Sequence, residues 1–190
     1  ELKSKVSKFA GALKDEGVNK GDRVIIYMPM IPEAVIAMLA CARIGAIHSV
    51  VFAGFSAKSL SDRINDADCK LLITADGGFR GEKITPLKKI SDEAMTSTPT
   101  IKACIVLKRT NSKIKMQKNR DIWWHKEMHK ASLTNIPEKM ESEDPLFILY
   151  TSGSTGKPKG IVHTTAGYMV YAEYSFKNVF QYNEGDIYWC

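Results

Sequence analysis

Residues 151–160 combine glycines, hydroxyl side chains and lysines in one short stretch, Thr-Ser-Gly-Ser-Thr-Gly-Lys-Pro-Lys-Gly. Glycines let backbone N–H groups turn toward a bound anion, hydroxyls donate further hydrogen bonds, and lysines supply positive charge. An apolar run at 146–150 precedes the stretch, and a helix-compatible pattern beginning near His163 follows it. A strand, a glycine-rich loop and a helix in that order predict a phosphate-binding loop.

Two common phosphate-binding motifs do not fit this stretch. A Walker loop needs a glycine where Thr151 stands and a magnesium-binding hydroxyl where Pro158 stands. The dinucleotide fingerprint needs a further glycine two positions before Gly153, and none is there. Pro158 also fixes φ, which stiffens the segment between the two lysines.

All positions of 151–160 match the pattern [TS]-S-G-[ST]-T-G-x-P-K-G of the adenylate-forming enzymes. That superfamily includes acyl-CoA synthetases, peptide-synthetase adenylation domains and luciferases, and the chain resembles it. Further segments are similar to its acetyl-CoA synthetase branch, and they lie at 21–24, 28–33, 40–56, 73–80, 121–125 and 143–190. Only about residues 108–120 look unlike the family.

The resemblance implies a two-step reaction. In the family, a carboxylate attacks the α-phosphate of ATP, an acyl-adenylate forms, and pyrophosphate leaves. The thiol of coenzyme A then attacks the acyl carbon and releases AMP. The chain is therefore expected to belong to an AMP-forming acetate–CoA ligase that uses ATP, coenzyme A and Mg²⁺. A synthetase for propionate or another short acid is the alternative.

The resemblance also implies which residues contact the phosphates of ATP. They are Thr151, Ser152, Gly153, Ser154, Thr155, Gly156, Lys157 and Lys159. Lys157 is favoured as a phosphate ligand, and a structural anchoring role is the alternative for Lys159. In relatives, the adenylation lysine and the acid that holds magnesium lie beyond the position of Cys190. No catalytic residue and no metal ligand is therefore expected within this chain.

A second group of charged residues, Arg80-Gly81-Glu82-Lys83, follows the apolar run 71–74. By resemblance, this place holds the nucleotide end of coenzyme A with its 3′-phosphate. Lys83 stands where many relatives carry arginine, so the charge is kept but bidentate bonding is lost. Gly54 would let coenzyme A approach closely. The residues alone also allow a solvated turn at 80–83 and a tight turn around Gly54 that Ser56 caps.

The net charge of +6 comes from one segment. Residues 108–120 contain six basic side chains and no acidic one, and without them the basic and acidic residues balance at 21 each. We interpret this segment as a mobile, solvated loop, which predicts no specific nucleic-acid partner. A non-catalytic nucleotide- or polyanion-binding module that uses this loop is the alternative from another class. No apolar run is long enough to span a bilayer, so no membrane partner is expected. The resemblance implies small-molecule partners, namely acetate, ATP and coenzyme A.

Alternating helix and strand patterns predict an α/β fold with a mostly parallel sheet flanked by helices. Val35, Met38, Leu39 and Ala42 recur as one helical face. Helices are also expected over Glu82–Met95, with an interruption near Pro86, around 121–130, and over 163–180 with His163 at its start. Trp123 and Trp124 are expected to pack the helix at 121–130 onto the domain.

The chain begins without Met inside a helical pattern, and residues 185–190 have the pattern of a strand that is just starting. These features predict that the chain is a fragment, and the resemblance implies that 1–190 is part of the N-terminal, ATP- and coenzyme A-binding domain of a longer enzyme. The rest of that domain and a small C-terminal domain would be absent, and the chain would be inactive by itself. Cys41, Cys69, Cys104 and Cys190 form no C-x-x-C pair, which is typical of reduced cysteines in a cytoplasmic protein.

Overall fold

The computed structural model describes residues 1–131, 136–151 and 158–188. The helices are α1 (Leu2–Asp15), α2 (Pro32–Arg43), α3 (Ala57–Asp66), α4 (Leu87–Met95), α5 (Trp124–Lys130) and α6 (Thr165–Asn178). The strands are β1 (Arg23–Tyr27), β2 (Ile47–Val50), β3 (Leu71–Ala75), β4 (Gly78–Arg80), β5 (Lys83–Thr85), β6 (Ala103–Leu107), β7 (Asp121–Trp123), β8 (Pro145–Thr151) and β9 (Lys159–Thr164).

One sheet holds seven of these strands in the order β7-β6-β3-β1-β2-β8-β9. Every neighbouring pair is parallel except β8 and β9, which are antiparallel. Crossover helices connect β1 to β2 and β2 to β3. The predicted α/β fold with a mostly parallel sheet is confirmed.

Helices cover both faces of the sheet, because alternate residues of each strand point to opposite sides. Val24 and Ile26 of β1 belong to a core that also contains Phe9 of α1. Ile25 and Tyr27 face a second core that contains Leu60 of α3. In the first core, Trp124 stacks on Phe9 with ring centroids 3.7 Å apart, as predicted for a tryptophan that packs α5 onto the domain.

The largest difference from the sequence-based expectation follows the glycine-rich stretch. A strand, β9, occupies Lys159–Thr164, and the helix α6 begins only at Thr165. The prediction of a helix from His163 was therefore wrong at its start, and strands border the glycine-rich stretch on both sides. Ile161 and Val162 are β-branched and pair with Leu149 and Ile148 of β8, which favours a strand over a helix here.

Two other expected elements are shorter than predicted. The helix expected over Glu82–Met95 begins at Leu87, because Lys83–Thr85 pairs with Gly78–Arg80 as an antiparallel hairpin. Similarly, Asp121–Trp123 is a strand that pairs with β6 before α5 begins. Residues 185–188 form no strand, and 189–190 lie outside the described residues.

The basic segment 108–120 is attached to the domain at its end, which the interpretation as a mobile, solvated loop did not anticipate. Arg120 forms ion pairs with Asp92 and Asp121, and Asp121, whose side chain is 0% exposed, also pairs with the buried Lys88 at 2.8 Å. Burial raises the pKa of Asp121, but hydrogen bonds from Arg120, Lys88 and the Gln117 N–H outweigh burial and the net pKa is lowered. Arg120 is thus a structural residue.

The helical face of Val35, Met38, Leu39 and Ala42 is only partly buried, with Met38 packed against the first core. The opposite side of α2 is buried instead, and Val35 and Leu39 each keep about two fifths of their surface exposed. Together with His48, Phe147 and Tyr168, this face lines a groove of about 440 Å³. Helix α2 is apolar nearly all round, so sequence periodicity could not identify its buried side.

Candidate functional site

The carboxyl ends of β1, β2, β3 and β8 lie at the same edge of the sheet because these strands are parallel. The segments that leave this edge are 28–31, 51–56, 76–80 and the glycine-rich stretch after Thr151. Ligands of open α/β sheets bind outside the carboxyl ends of the strands. Three of these four segments carry residues that the sequence singled out.

The structure describes the two borders of the glycine-rich stretch. Thr151 and Lys159 are exposed and pair with each other at the end of the β8–β9 ladder. The predicted phosphate ligands Ser152, Gly153, Ser154, Thr155, Gly156 and Lys157 lie outside the described residues. A Cβ on Gly160 would lie 3.1 Å from Ile148 Cγ2 and 3.2 Å from the Tyr150 ring, so a side chain there would require these neighbours to shift slightly.

The end of β8 is held against helix α3. The Tyr150 hydroxyl donates a hydrogen bond of 2.6 Å to Asp66 Oδ2. The Arg63 guanidinium lies between two rings, 4.9 Å from the centroid of Phe55 and 5.5 Å from that of Tyr150. Burial and, after it, the neighbouring Asp66 carboxylate raise the pKa of Tyr150, so the hydroxyl stays a donor at neutral pH. Arg63 therefore links the turn after β2 to the strand that leads into the glycine-rich stretch.

A second cavity, of about 340 Å³, opens where β1, β2 and β3 end. We call it the Arg80 cavity. Its lining residues are Pro29, Met30, Ile31, Phe52, Ala53, Gly54, Gly78, Phe79, Arg80, Thr85 and Arg109. The structure thus brings the predicted residues Gly54 and Arg80 to one cavity, although they are far apart in sequence.

The other predicted coenzyme A residues lie beside this cavity and not in its lining. Gly81 and Glu82 form the turn between β4 and β5, and Gly81 has a φ of +59°. Lys83 is directly opposite Arg80 in the hairpin register. Cross-strand partners project to the same face of a hairpin, so Lys83 and Arg80 place their positive charges on one face.

Hydrogen bonds from β1 and at the start of α3 hold the turn that carries Gly54. The Tyr27 hydroxyl donates to the Phe55 carbonyl oxygen at 2.7 Å, and burial raises the pKa of Tyr27 to about 12. Ser56 accepts a hydrogen bond from the Ser59 N–H and caps α3, as the tight-turn interpretation expected. A Cβ on Gly54 would lie 2.4 Å from Phe52 Cε1, so a side chain there would displace the Phe52 ring.

Sequence reasoning missed two residues of the Arg80 cavity. Phe79 presents a ring that is 57% exposed. Arg109, which was assigned to the solvated basic loop, lines the cavity with its guanidinium 5.8 Å from the Phe79 ring centroid. The signal that could have identified Arg109 is its position directly after β6, at the same carboxyl edge as Arg80.

His163 lies in β9 and is not the first residue of a helix. Its ring stacks on Phe147 with centroids 4.5 Å apart and an interplanar angle of 23°. The contact supports a packing role. Across the part of the chain that the structure describes, no three His, Cys, Asp or Glu side chains come together as a metal site. No helix among the described residues is long and apolar enough to cross a membrane.

These features define an α/β protein of the kind that binds ligands at the carboxyl edge of a parallel sheet. A family model described as AMP-binding enzyme matches residues 1–190, and the chain belongs to this family. The acetyl-coenzyme A synthetase of Parvibaculum lavamentivorans is 60% identical over 190 residues, and that of Magnetococcus marinus is 56% identical. The acetyl-coenzyme A synthetase of Nostoc linckia is 57% identical over the same length.

The chain covers only part of these relatives: 29% of the Parvibaculum protein, 30% of the Magnetococcus protein and 56% of the Nostoc protein. A solved structure, the acetoacetyl-CoA synthetase from Streptomyces lividans, matches with a TM-score of 0.88 at 30% sequence identity. That match covers 97% of this chain and 28% of the other.

Proposed function

We propose that the complete protein containing this chain is an AMP-forming acetate–CoA ligase. The observation that carries the proposal is the 56–60% identity, along all of residues 1–190, to proteins named acetyl-coenzyme A synthetase. Residues 1–190 would form part of the N-terminal domain that binds ATP and coenzyme A. A cytoplasmic location belongs to the same proposal, supported by the free, buried Cys41, Cys69 and Cys104.

In the first step, acetate attacks the α-phosphate of ATP, and acetyl-adenylate and pyrophosphate form. We assign the phosphate tail of ATP to Thr151, Lys159 and the stretch 152–157 between them, with Lys157 as the principal cation. Support comes from the family match and from the position of Thr151 at the carboxyl edge of the sheet. Backbone N–H groups and lysines at such an edge offset the charge of the leaving pyrophosphate.

In the second step, the coenzyme A thiol attacks the acetyl carbon and AMP leaves. We assign the nucleotide end of coenzyme A to the Arg80 cavity and the adjoining hairpin, with Gly54, Arg80, Gly81, Glu82 and Lys83 as its surroundings. The cavity unites aromatic walls, which can pack against a base, with a guanidinium, which can bind phosphate in bidentate fashion.

Mg²⁺ would neutralise charge on the triphosphate when it is bound. The described residues assemble no group of three metal-ligating side chains, so none of them is assigned to it. We place the magnesium ligand and the adenylation lysine in parts of the complete protein outside this chain. The chain alone is therefore proposed to be inactive.

Acetate-dependent exchange of pyrophosphate into ATP, followed by thioester formation with coenzyme A, tests the proposal on the complete protein. We expect both reactions with acetate, and Gly156→Val to abolish the first because a side chain would obstruct the phosphates. Propionate, butyrate and acetoacetate belong in the same panel, the last because of the Streptomyces lividans neighbour. If pyrophosphate exchange requires an acid other than acetate, that acid replaces acetate as the proposed substrate. Full activity of Gly156→Val would contradict the assignment of 151–159 to the phosphates of ATP.

The alternative of a polyanion-binding module is less well supported. Arg120, one of the six basic residues of 108–120, is bound within the domain by Asp92 and Asp121. If that module were the main function, removing positive charge from this segment would abolish ligand binding while Lys157→Ala would leave it intact.

A further inference from the structure

The Arg80 cavity receives two arginines from different parts of the chain. Arg80 comes from the hairpin after β3, and Arg109 comes from the segment after β6. Among the described residues, neither guanidinium has a carboxylate within 4.0 Å, whereas Arg23, Arg63 and Arg120 all have a hydrogen-bond partner. Two exposed guanidinium groups at one cavity, without a counter-charge, create a strong local preference for an anion.

Arg109 is placed there by a buried carboxylate. Asp76 is 1% exposed, and its Oδ1 accepts hydrogen bonds from the N–H groups of Gly77 (2.8 Å), Arg109 (2.8 Å) and Thr110 (2.9 Å). Its Oδ2 accepts a further one from the Ser112 N–H at 3.1 Å. These bonds tie the start of the 108–120 segment to the turn after β3, so the backbone of Arg109 cannot move away independently of the cavity.

The packing around Gly77 supports the same conclusion. A Cβ on Gly77 would lie 2.8 Å from Thr110 Oγ1 and 2.9 Å from Ile84 Cγ2. The turn after β3, the basic segment and the β4–β5 hairpin therefore meet without spare space. Arg80 and Arg109 are thus carried by two segments in direct contact with the same turn.

The hairpin itself adds a third cation. Arg80 and Lys83 are directly opposite each other in its register, and like charges in that arrangement destabilise a pair of strands. A bound phosphate would relieve this repulsion. Arg80 and Arg109 line the cavity, and Lys83 adds positive charge on the hairpin beside it.

We propose that Arg109 is a further binding residue for a phosphate group on the nucleotide end of coenzyme A, and that Asp76 is the positioning residue that holds it. This inference rests on the proposed function, because it concerns the same ligand. Arg109 donates to a phosphate oxygen beside Arg80, and the Phe79 ring lies under the guanidinium and keeps it directed along the cavity wall.

Arg109→Gln in the complete protein tests the binding role. The variant should weaken coenzyme A binding, measured by isothermal titration calorimetry, by at least about tenfold, which corresponds to one charge-assisted hydrogen bond. Acetate-dependent pyrophosphate exchange does not involve coenzyme A and should be unchanged. Lys113→Gln is the matched control, because it removes the same charge from the same exposed segment but from a residue outside the cavity lining. Arg109→Lys should lie between the wild type and Arg109→Gln.

Asp76→Asn tests the positioning role. An amide N–H₂ in place of one oxygen cannot accept the Ser112 N–H, so the segment should loosen. We expect the KM for coenzyme A to rise while the KM for ATP and the rate of pyrophosphate exchange stay at wild-type values. If Asp76 only stabilised the fold, Asp76→Asn would instead lower the rates of pyrophosphate exchange and of thioester formation together.

The possible outcomes separate this inference from the proposed function. If the wild type forms the thioester and Arg109→Gln binds coenzyme A within twofold of the wild type, the inference is wrong and the proposed function stands. The same holds if Lys113→Gln loses as much affinity as Arg109→Gln. If the wild type binds no coenzyme A, the coenzyme A part of the proposed function fails and this inference fails with it.

Discussion

Two Lys–Asp pairs with the same sequence spacing have very different surroundings. Lys58 and Asp62 lie on the outside of α3, and their side chains are 81% and 41% exposed. The Lys88 side chain is 1% exposed and bonds Asp92 at 2.6 Å and Asp121 at 2.8 Å. Solvent screens the first pair almost completely, whereas the second is desolvated and depends on its partners.

Lys88→Met should therefore destabilise the protein, because it removes a cation from two carboxylates, and the Asp121 side chain is 0% exposed. We expect a loss of about 2–4 kcal/mol in the free energy of unfolding, measured from the urea midpoint. Lys58→Met is the matched control and should change the same quantity by less than about 0.5 kcal/mol. Equal effects of the two substitutions would contradict the difference in burial.

His48 is a second residue whose surroundings make a measurable prediction. It is 9% exposed, and burial lowers its pKa from the ordinary 6.5 to about 4. The unfolded chain therefore binds a proton near pH 6.5 that the folded chain takes up only near pH 4. Stability should fall by up to about 3 kcal/mol as the pH decreases through this window.

His48→Gln should flatten that decrease, since glutamine does not titrate. Urea midpoints at pH 7, 6 and 5 for both proteins measure the effect. The carboxylates with lowered pKa, Asp76 and Asp121, contribute stability above their unfolded pKa and lose it only below about pH 4. They therefore do not obscure the His48 window. Parallel curves for the two proteins between pH 7 and 5 would show that His48 is not the group responsible.

At the scale of elements, Arg63 connects helix α3 to two segments of the candidate site. Its guanidinium faces Phe55, in the turn after β2, and Tyr150, at the end of β8. Each cation–π contact is worth about 0.5–1 kcal/mol at a partly exposed site. Because both rings contact the same guanidinium, replacing one ring should change how much the other ring contributes to the free energy of unfolding.

A double-mutant cycle with Phe55→Leu and Tyr150→Leu measures this sharing. We expect a coupling energy of about 0.5 kcal/mol or more in the wild-type background, from urea unfolding. The same cycle in the Arg63→Met background should give none, because the shared cation is gone. Coupling that persists without Arg63 would mean that the rings communicate through α3 or the backbone.

The sequence predicted most of the sheet because β1, β3 and β6 are short, mostly apolar and buried on both faces. It did not predict β9, whose residues are mostly exposed and therefore lack the apolar pattern of a buried strand. The β4–β5 hairpin was missed for a similar reason. Its strands have three residues each and four of those six are exposed, so they carry no hydrophobic alternation.

The residues of the candidate site also differ in whether the sequence could identify them. Gly54 and Arg80 could be assigned from the resemblance, and the fold places both at one cavity. Arg109 could not, because its position depends on the order of the strands and on the buried Asp76 that anchors its segment. All six basic residues of 108–120 look alike in the sequence, although Arg109 lines a cavity and Arg120 forms ion pairs within the domain.

At the scale of the whole molecule, the two ends of the fold differ in how well they are covered. Helix α1 buries Val6, Phe9 and Leu13, whereas α6 contains no buried residue. Val170, Tyr171 and Tyr174 of α6 are 68%, 72% and 64% exposed. An apolar surface of this kind is typical of an interface, and it promotes association or aggregation when it is exposed to water.

The 190-residue chain by itself should therefore self-associate. Multi-angle light scattering at increasing concentration should show an average mass above the 21.2 kDa of one chain. Val170→Lys combined with Tyr171→Lys should reduce the association, because the two substitutions place charge on the uncovered helix. A monodisperse monomer at all concentrations would contradict the prediction that this face drives association.

The same isolated chain should release no pyrophosphate from ATP in the presence of acetate. The proposed adenylation lysine and magnesium ligand lie outside it, and positioned groups account for most of the acceleration in such reactions. A coupled pyrophosphate assay measures this, with the complete protein as the positive control. Acetate-dependent turnover by the 190-residue chain would show that its own residues suffice.

The antiparallel pairing of β8 with β9 limits how the glycine-rich stretch can vary in length. Thr151 is in register with Lys159, and Phe147 with His163. If an inserted or deleted residue shifted β9 by one position, its alternating side chains would exchange faces and His163 would leave Phe147. An insertion or deletion in this stretch should consequently disturb the packing of β9, in addition to any effect on the bound phosphates.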